Sequence, residues 1–221
     1  MKSKIIFCFF LVFFLAFQSA KAQLIVNNNA YWEGEIMLKD GTLKKGYIQV
    51  PNTTKESKIN FKTGSLSGTK EKFKRKEIDY IIVTSDKGFS YRFENIAVVW
   101  NLEGNKSMGT SLYLIMGQNN YVTFYIETQQ YITNSKTGKI DFLYVYNQGQ
   151  DFPSVTYVMK KRGEEKARLL HTTGIIGGLI RRAKVYLTET PELLKRIEEK
   201  ELKIPDLPEI IETYIKETKD L

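Results

Sequence analysis

Few side chains in this sequence are equipped for covalent chemistry, and their spacing keeps them apart. His171 is the only histidine in 221 residues. One imidazole can serve a Ser-His-Asp relay, but only with a nucleophile held within its reach. The sharp Gly-x-Ser-x-Gly elbow that presents such a serine is absent, since Gly64-Ser65-Leu66-Ser67-Gly68 puts leucine where the nucleophile belongs. A capping or boundary role therefore suits His171 better than a hydrolase's base. Cys8 is the only cysteine and lies in the first apolar run. Zinc sites gather several His or Cys ligands, and no Asp-x-Asp-x-Asp-Gly calcium loop occurs. The sequence thus points to no catalytic residue, no metal and no cofactor. Ser67-Gly-Thr-Lys70, Ser85-Asp-Lys87 and Lys136-Thr-Gly138 imitate, in order, fragments of the serine acyl-enzyme motifs. That chemistry needs the serine at a helix start with its lysine one turn on, whereas Ser67 stands in a Gly/Ser/Thr loop leading into a strand.

The remaining candidates bind rather than react. Lys70, Lys72, Lys74 and Lys76 fall at every second position, so on a strand they form one cationic ridge. Such a ridge discourages pairing of an edge strand with other chains, and it can also meet an anion. Gly174-Ile175-Ile176-Gly177-Gly178 precedes a basic segment. Helix N-termini attract anions, and with Arg168, Arg181, Arg182 and Lys184 this stretch is a candidate anion site. Its isoleucines also suit a tight, buried connection. Tyr113, Tyr125 and Tyr144 belong to the most aromatic part of the chain, residues 110–157. They either line a cavity for a lipid or glycan or pack the core with hydroxyls at its rim.

The elements that position these groups are mostly strands. Over 77–84 and 89–93, Ile78, Tyr80 and Ile82 and then Phe89, Tyr91 and Phe93 recur at every second residue around Ser85-Asp-Lys-Gly88, which predicts an antiparallel hairpin. A second hairpin is predicted over 32–50, turning at Asp40-Gly41. A three-residue loop with a bulge gathers Ile36, Leu38, Ile48 and Val50 on one face, whereas a two-residue loop sets Ile36 against Lys45. Further strands are expected at 58–62, 70–76, 95–103, 111–116, 121–127, 139–146 and 154–160. In Phe142-Leu-Tyr-Val-Tyr146 both alternating sets are apolar, which predicts a central strand covered on both faces. After Lys160 the period becomes helical: Leu179, Ile180, Ala183, Tyr186 and Leu187 share a face, with Arg181, Arg182 and Lys184 mostly off it. Thr190-Pro191 opens a helix over Leu194 and Ile197, and a last helix carries Ile210, Ile211, Tyr214 and Ile215. Strands followed by helices indicate an α+β fold. The expectation is an antiparallel β-rich body of about nine to eleven strands, a partial barrel or sandwich, with two or three C-terminal helices.

Lys2 and Lys4 precede an apolar run of 13 residues, 5–17, and Ala20-Lys21-Ala22 follows. That is a signal peptide with cleavage after Ala22, shorter than the roughly 20 residues that span a membrane. The expected organisation is a leader over 1–22, a β-rich domain over 23–174 and a helical segment over 175–221 packed on the sheet, with no transmembrane segment after processing. The processed chain has no cysteine and is held by core packing alone. Removing Lys2, Lys4 and Lys21 leaves 30 basic residues against 25 acidic, a net charge near +5. Export and this near balance argue against nucleic acid, and the charged helical end argues against an outer-membrane barrel.

Trp32-x-Gly-x-Ile36, Asp40-Gly-Thr42, Gly46-Tyr-Ile48, Ile59-Asn-Phe-Lys62, Lys76-Glu-Ile78 and Tyr186-x-x-x-x-Pro191-Glu-Leu193 resemble exported proteins of Bacteroidetes-type bacteria that have no assigned activity. The resemblance covers most of the processed chain. It implies a signal peptide, a β-rich body and a short helical C-terminus, and it transfers no catalytic residue. The expected protein is a periplasmic or secreted binding or structural module without covalent chemistry, meeting an anionic envelope component or a protein partner. The alternative is a barrel holding a small lipid or glycan in a tyrosine-lined cavity.

Overall fold

The computed structural model describes residues 30–102, 106–146, 154–173 and 178–221. The expected leader over 1–22 with its expected cleavage site, and residues 174–177 of the glycine stretch, lie outside them. Twelve strands form a ten-stranded sheet and a two-stranded hairpin. The first half of the large sheet is β1 (Tyr31–Leu38), β2 (Leu43–Gln49), β3 (Lys58–Thr63), β4 (Lys70–Lys74) and β5 (Ile78–Thr84). The second half is β6 (Ser90–Val99), β7 (Ser107–Gln118), β8 (Val122–Glu127), β11 (Thr156–Lys161) and β12 (Ala167–Thr172). β9 (Gln130–Asn134) and β10 (Lys139–Leu143) pair only with each other. Three helices follow: α1 (Gly178–Tyr186), α2 (Pro191–Glu198) and α3 (Leu207–Glu217).

The α+β reading holds, with two corrections. The sheet is mixed rather than wholly antiparallel, because β12 runs parallel to β6, placing Ala167 beside Val98 and Arg168 beside Val99. That pairing joins β6, β7, β8, β11 and β12 into a closed five-stranded barrel, while β5, β1, β2, β3 and β4 continue from β6 as an open half-sheet. Residues 139–146 are not a central strand. β10 belongs to the small hairpin, whose Tyr131 ring packs edge-on against Phe93 at 5.6 Å. Both faces of residues 142–146 read as apolar because hairpin and core rings cluster there, with Phe142 6.2 Å from Tyr131 and 6.1 Å from Tyr144.

The β1–β2 turn shows how local chemistry sets register. Asp40 accepts the Thr42 amide at 2.9 Å, Leu38 and Thr42 close a three-residue loop, and Gly41 takes φ +86°. Type I turns followed by a left-handed glycine suit such loops. The resulting register puts Ile36, Ile48 and Val50, all fully buried, on one face.

Strand alternation then gives the large sheet two faces. One face is covered. Ile36, Ile48, Phe61, Ile81 and Val83 of the half-sheet join Leu112, Phe124 and Tyr157 of the barrel's outer wall in one core with the helices. Phe124 meets Tyr214 of α3 edge-on at 5.7 Å. The helical apolar faces fall as their spacing predicts: Leu179, Ala183, Tyr186, Leu193, Ile197, Ile210, Ile211 and Tyr214 are buried. The opposite face changes character along the sheet. Inside the barrel it is a second core of Ile96, Val98, Tyr113, Tyr125, Val158, Ala167 and Leu169. On the half-sheet the same face meets solvent.

Candidate functional site: the outward face of the half-sheet

Registers across the half-sheet fix which side chains share that outward face. Glu33 of β1 stands opposite Tyr47 and Thr84, and Glu35 opposite Lys45 and Ile82. Tyr47 stands opposite Lys62, and on β3–β4 Lys58 faces Lys74, Asn60 faces Lys72 and Lys62 faces Lys70. Tyr80 pairs with Glu94 and Ile82 with Arg92 on β6. The face therefore runs from a lysine grid at the free edge, through tyrosines and carboxylates, to the barrel mouth.

A groove of about 780 Å³ crosses its middle, lined by Tyr31, Glu33, Glu35, Lys45, Tyr47 and Ile82. Leu66 of the β3–β4 loop, Ser85 and Asp86 of the β5–β6 turn, and Ser135 of the β9–β10 turn complete it. Gly138 lets those two turns touch. It sits at φ +69°, and a Cβ there would lie 2.6 Å from Lys87 Cβ and 2.8 Å from Ser85 Oγ. Two of the three acyl-enzyme-like fragments thus meet as a turn-to-turn contact. Ser67 begins no helix, and its hydroxyl lies 3.0 Å from that of Ser65.

The polar groups of the face are partly committed. Lys62 Nζ lies 4.5 Å from the centre of the Tyr31 ring and donates to the Leu66 carbonyl at 2.6 Å. Burial pushes the Tyr31 phenol upward. Asn60 donates to Gln49. Lys45 lies 3.8 Å from Glu35, and Lys74 lies 3.8 Å from Glu77. Lys58, Lys70 and Lys72 have no carboxylate within ion-pair distance among the described residues. At the barrel mouth Arg92 donates to Glu94 Oε1 at 2.7 Å and stacks on the Tyr80 ring at 3.9 Å.

The predicted sites fare unequally. Lys70, Lys72 and Lys74 form the expected exposed ridge on edge strand β4, but Lys76 leaves it for a 3-10 turn at Arg75–Glu77. Arg168, Arg181, Arg182 and Lys184 do not converge on an anion site. Arg168 Nε is bound to Glu164 at 2.9 Å, Lys184 lies 3.1 Å from Glu198, and Arg181 points to solvent. Arg182 is buried, donating at 2.6 Å to the carbonyls of both Leu169 and Trp100. Of the four, only Arg168 lines the 350 Å³ depression beside α1.

Tyr113, Tyr125 and Tyr144 share no cavity. Tyr113 and Tyr125 fill the barrel interior, 4 % and 1 % exposed, while Tyr144 packs on the other core. The Tyr125 hydroxyl donates to Glu94 Oε2 at 2.7 Å and borders a 280 Å³ mouth. Five strands leave no more interior than these side chains occupy. His171 is buried on β12 opposite Tyr157. Burial, and then the Arg182 charge, push its imidazole down to about 4, so it is neutral near pH 7. Among the described residues no three His, Cys, Asp or Glu side chains gather as a metal site.

A second polar cluster ties the helices to the barrel. Glu189, between α1 and α2, accepts from Tyr121 and Lys161 at Oε1 and from Tyr214 at Oε2, each at 2.6 Å. Burial pushes the Glu189 carboxyl up, but these three bonds outweigh it and hold the carboxyl down at about 2. This cluster braces the fold, with Tyr121, Lys161 and Tyr214 all donating to one carboxylate.

Comparison of the chain with protein-family models, curated proteins and solved structures finds no match. The site is therefore argued from its own geometry. Sequence reading picked out the β4 lysines and missed Lys45, Lys58, Lys62, Tyr31, Tyr47 and Tyr80. The signal was present in the polar half of each alternation, but only the register between strands puts those halves on one surface.

Proposed function

We propose that this chain is an exported, non-enzymatic binding module whose contact surface is the outward face of the half-sheet, and that its partner there is an anionic component of the cell envelope. One observation carries this reading. Lys58, Lys62, Lys70, Lys72 and Lys74 stand on adjacent strands as one cationic grid, with Lys58 against Lys74 and Lys62 against Lys70. Like charges directly opposite one another weaken a ladder. Lysines on the edge strand alone would suffice to block edge-to-edge pairing. Those on β3, which is paired on both sides, serve a partner instead. The leader supports export, and resemblance to exported Bacteroidetes-type proteins agrees with it. The one histidine is buried on β12, away from the outward face of the half-sheet, which supports contact rather than catalysis there.

The test uses protein recovered from the periplasm of cells expressing the full 221-residue chain. Its retention on protein-depleted envelope fractions is expected to fall at least about tenfold in a Lys70→Glu, Lys72→Glu, Lys74→Glu variant and to fall steeply with salt. Equal retention of that variant, or retention only on fractions that keep their proteins, would sink the anionic-envelope reading in favour of a protein partner. Absence of the chain from both the periplasm and the medium would sink the export half.

A further inference from the structure

We infer that the face takes an acidic heteropolysaccharide, with neutral sugar rings across the tyrosine groove and the acid groups on the β3–β4 lysine grid. This rests on the contact surface proposed above and adds the chemistry of its ligand. The reason is that charge on this face is segregated, not uniform. The charged side chains of the grid are all lysines, of which Lys74 has a carboxylate, Glu77, at 3.8 Å. The adjoining groove instead presents Glu33, Glu35 and Asp86 beside Tyr31 and Tyr47, with Lys45 3.8 Å from Glu35 and Lys87 3.5 Å from Asp86, so carboxylates outnumber ammonium groups there. A polymer charged at every unit, such as polyphosphate or a nucleic acid, would set some of its anions against those carboxylates. A chain of hydroxyl-rich rings with acid groups at intervals meets both zones favourably. Its hydroxyls donate to the carboxylates, its ring faces lie on the tyrosines, and its acids meet the lysines. The groove volume of about 780 Å³ lies within the range of clefts that hold compact ligands.

Lys62 joins the two zones. It covers the Tyr31 ring while standing opposite both Tyr47 and Lys70. An acid group drawn to the grid pulls this ammonium off the ring, exchanging a cation–π contact and the hydrogen bond to the Leu66 carbonyl for an ion pair and baring Tyr31 to the neighbouring sugar. Binding of acid and neutral units is thereby coupled through one side chain.

The test is calorimetric titration of the exported protein with hyaluronan, which alternates uronate with neutral amino sugar, and with dextran, polyphosphate, oligo-dT and phosphatidylglycerol vesicles. Hyaluronan is expected to bind at least about tenfold more tightly than any of the others. Tyr47→Ala is expected to weaken hyaluronan about tenfold, and Tyr47→Phe to restore it to within about threefold, because the ring face is what stacks. Lys58→Ala with Lys62→Ala should lower affinity by about tenfold and flatten its salt dependence. Each variant must retain the wild-type circular dichroism spectrum, and these exposed or half-buried positions permit it. If polyphosphate, oligo-dT or the vesicles bind more tightly than hyaluronan, with Tyr47→Ala neutral, the glycan inference is overturned while the anionic contact surface stands. If no anionic probe binds, both fall.

Discussion

The two halves of the large sheet share one continuous face and use it in opposite ways. On β6 the face begins with Ser90, Arg92 and Glu94 and ends with Ile96 and Val98, so the change occurs within a single strand. Beyond that point β12 closes the barrel, and apolar side chains on the face become a core. Before it the sheet stays open, and the face carries the tyrosines and lysines of the groove. Closure, not strand propensity, decides what this surface is for. An aromatic residue inside the barrel is a packing element, and one on the outward face of the half-sheet stays half-buried, within reach of solvent.

The sharpest way to break this contrast is to delete a ring from each half. Tyr125→Ala is expected to cost about 3–5 kcal/mol in urea denaturation, the range for large aromatic truncations in a packed interior. Tyr47→Ala, on the same face, should change stability by under about 1 kcal/mol. Similar losses at both positions would mean that the half-sheet face is core after all. Next in size is Arg182→Leu. It leaves the Leu169 and Trp100 carbonyls without their buried donor and should cost roughly 2–4 kcal/mol. Arg181→Leu, one residue away on the exposed side, should be close to neutral in the same urea denaturation.

Acid separates the closed half by titration. His171 has a folded pKa of about 4, below its usual 6.5, so the unfolded chain takes up its proton first. The stability this depression contributes is complete above pH 6.5 and is lost as pH falls toward 4, about 2–3 kcal/mol in all. Glu189 follows in a lower window. Its pKa of about 2 lies below the usual 4.5, and its contribution is lost as pH falls from 4.5 to 2. We expect about 1–2 kcal/mol there, discounted for the solvent that reaches the carboxylate. Denaturation midpoints of His171→Gln and Glu189→Gln measured from pH 7 to 2 should each lose one of these two slopes. An unchanged slope in either variant would remove that residue from the account. The smallest effect belongs to the grid. Lys70→Glu, Lys72→Glu, Lys74→Glu turns the like-charge pairs Lys58–Lys74 and Lys62–Lys70 into opposite ones, at a gain of about 0.2–1 kcal/mol for each pair that the lost Lys74–Glu77 contact partly offsets, read as a slightly raised melting temperature.

How much of this was legible in the sequence follows from how local each determinant is. The β5–β6 hairpin and the β1–β2 loop were readable because a turn and its flanking alternation lie within about twenty residues of each other. The helices were readable from their periodic apolar faces. β12 was not. Ala167-Arg-Leu-Leu-His-Thr172 shows no alternation, because Leu169 faces the barrel interior and Leu170 the outer core across a register shift in β11–β12. A strand buried on both faces loses its period. Arg182 reads as a surface cation because the carbonyls that give it a buried task, those of Leu169 and Trp100, lie 13 and 82 positions away. The site was half legible. The β4 lysines announce themselves at alternate positions, but their partners on β3 and the tyrosines beyond become one surface only through pairings that no single stretch encodes.

The parallel seam between β12 and β6 also sets when the molecule becomes whole. Val98 and Ala167, one of its two residue pairs, are separated by the five strands β7 to β11, and the Asn119 side chain waits for Ile215, 96 positions on. Contacts that distant form slowly and only after nearly all the polypeptide has been made. A chain with so late a keystone has no closed barrel until β12 has been made, so β6, β7, β8 and β11 must wait for the seam that gives them an interior.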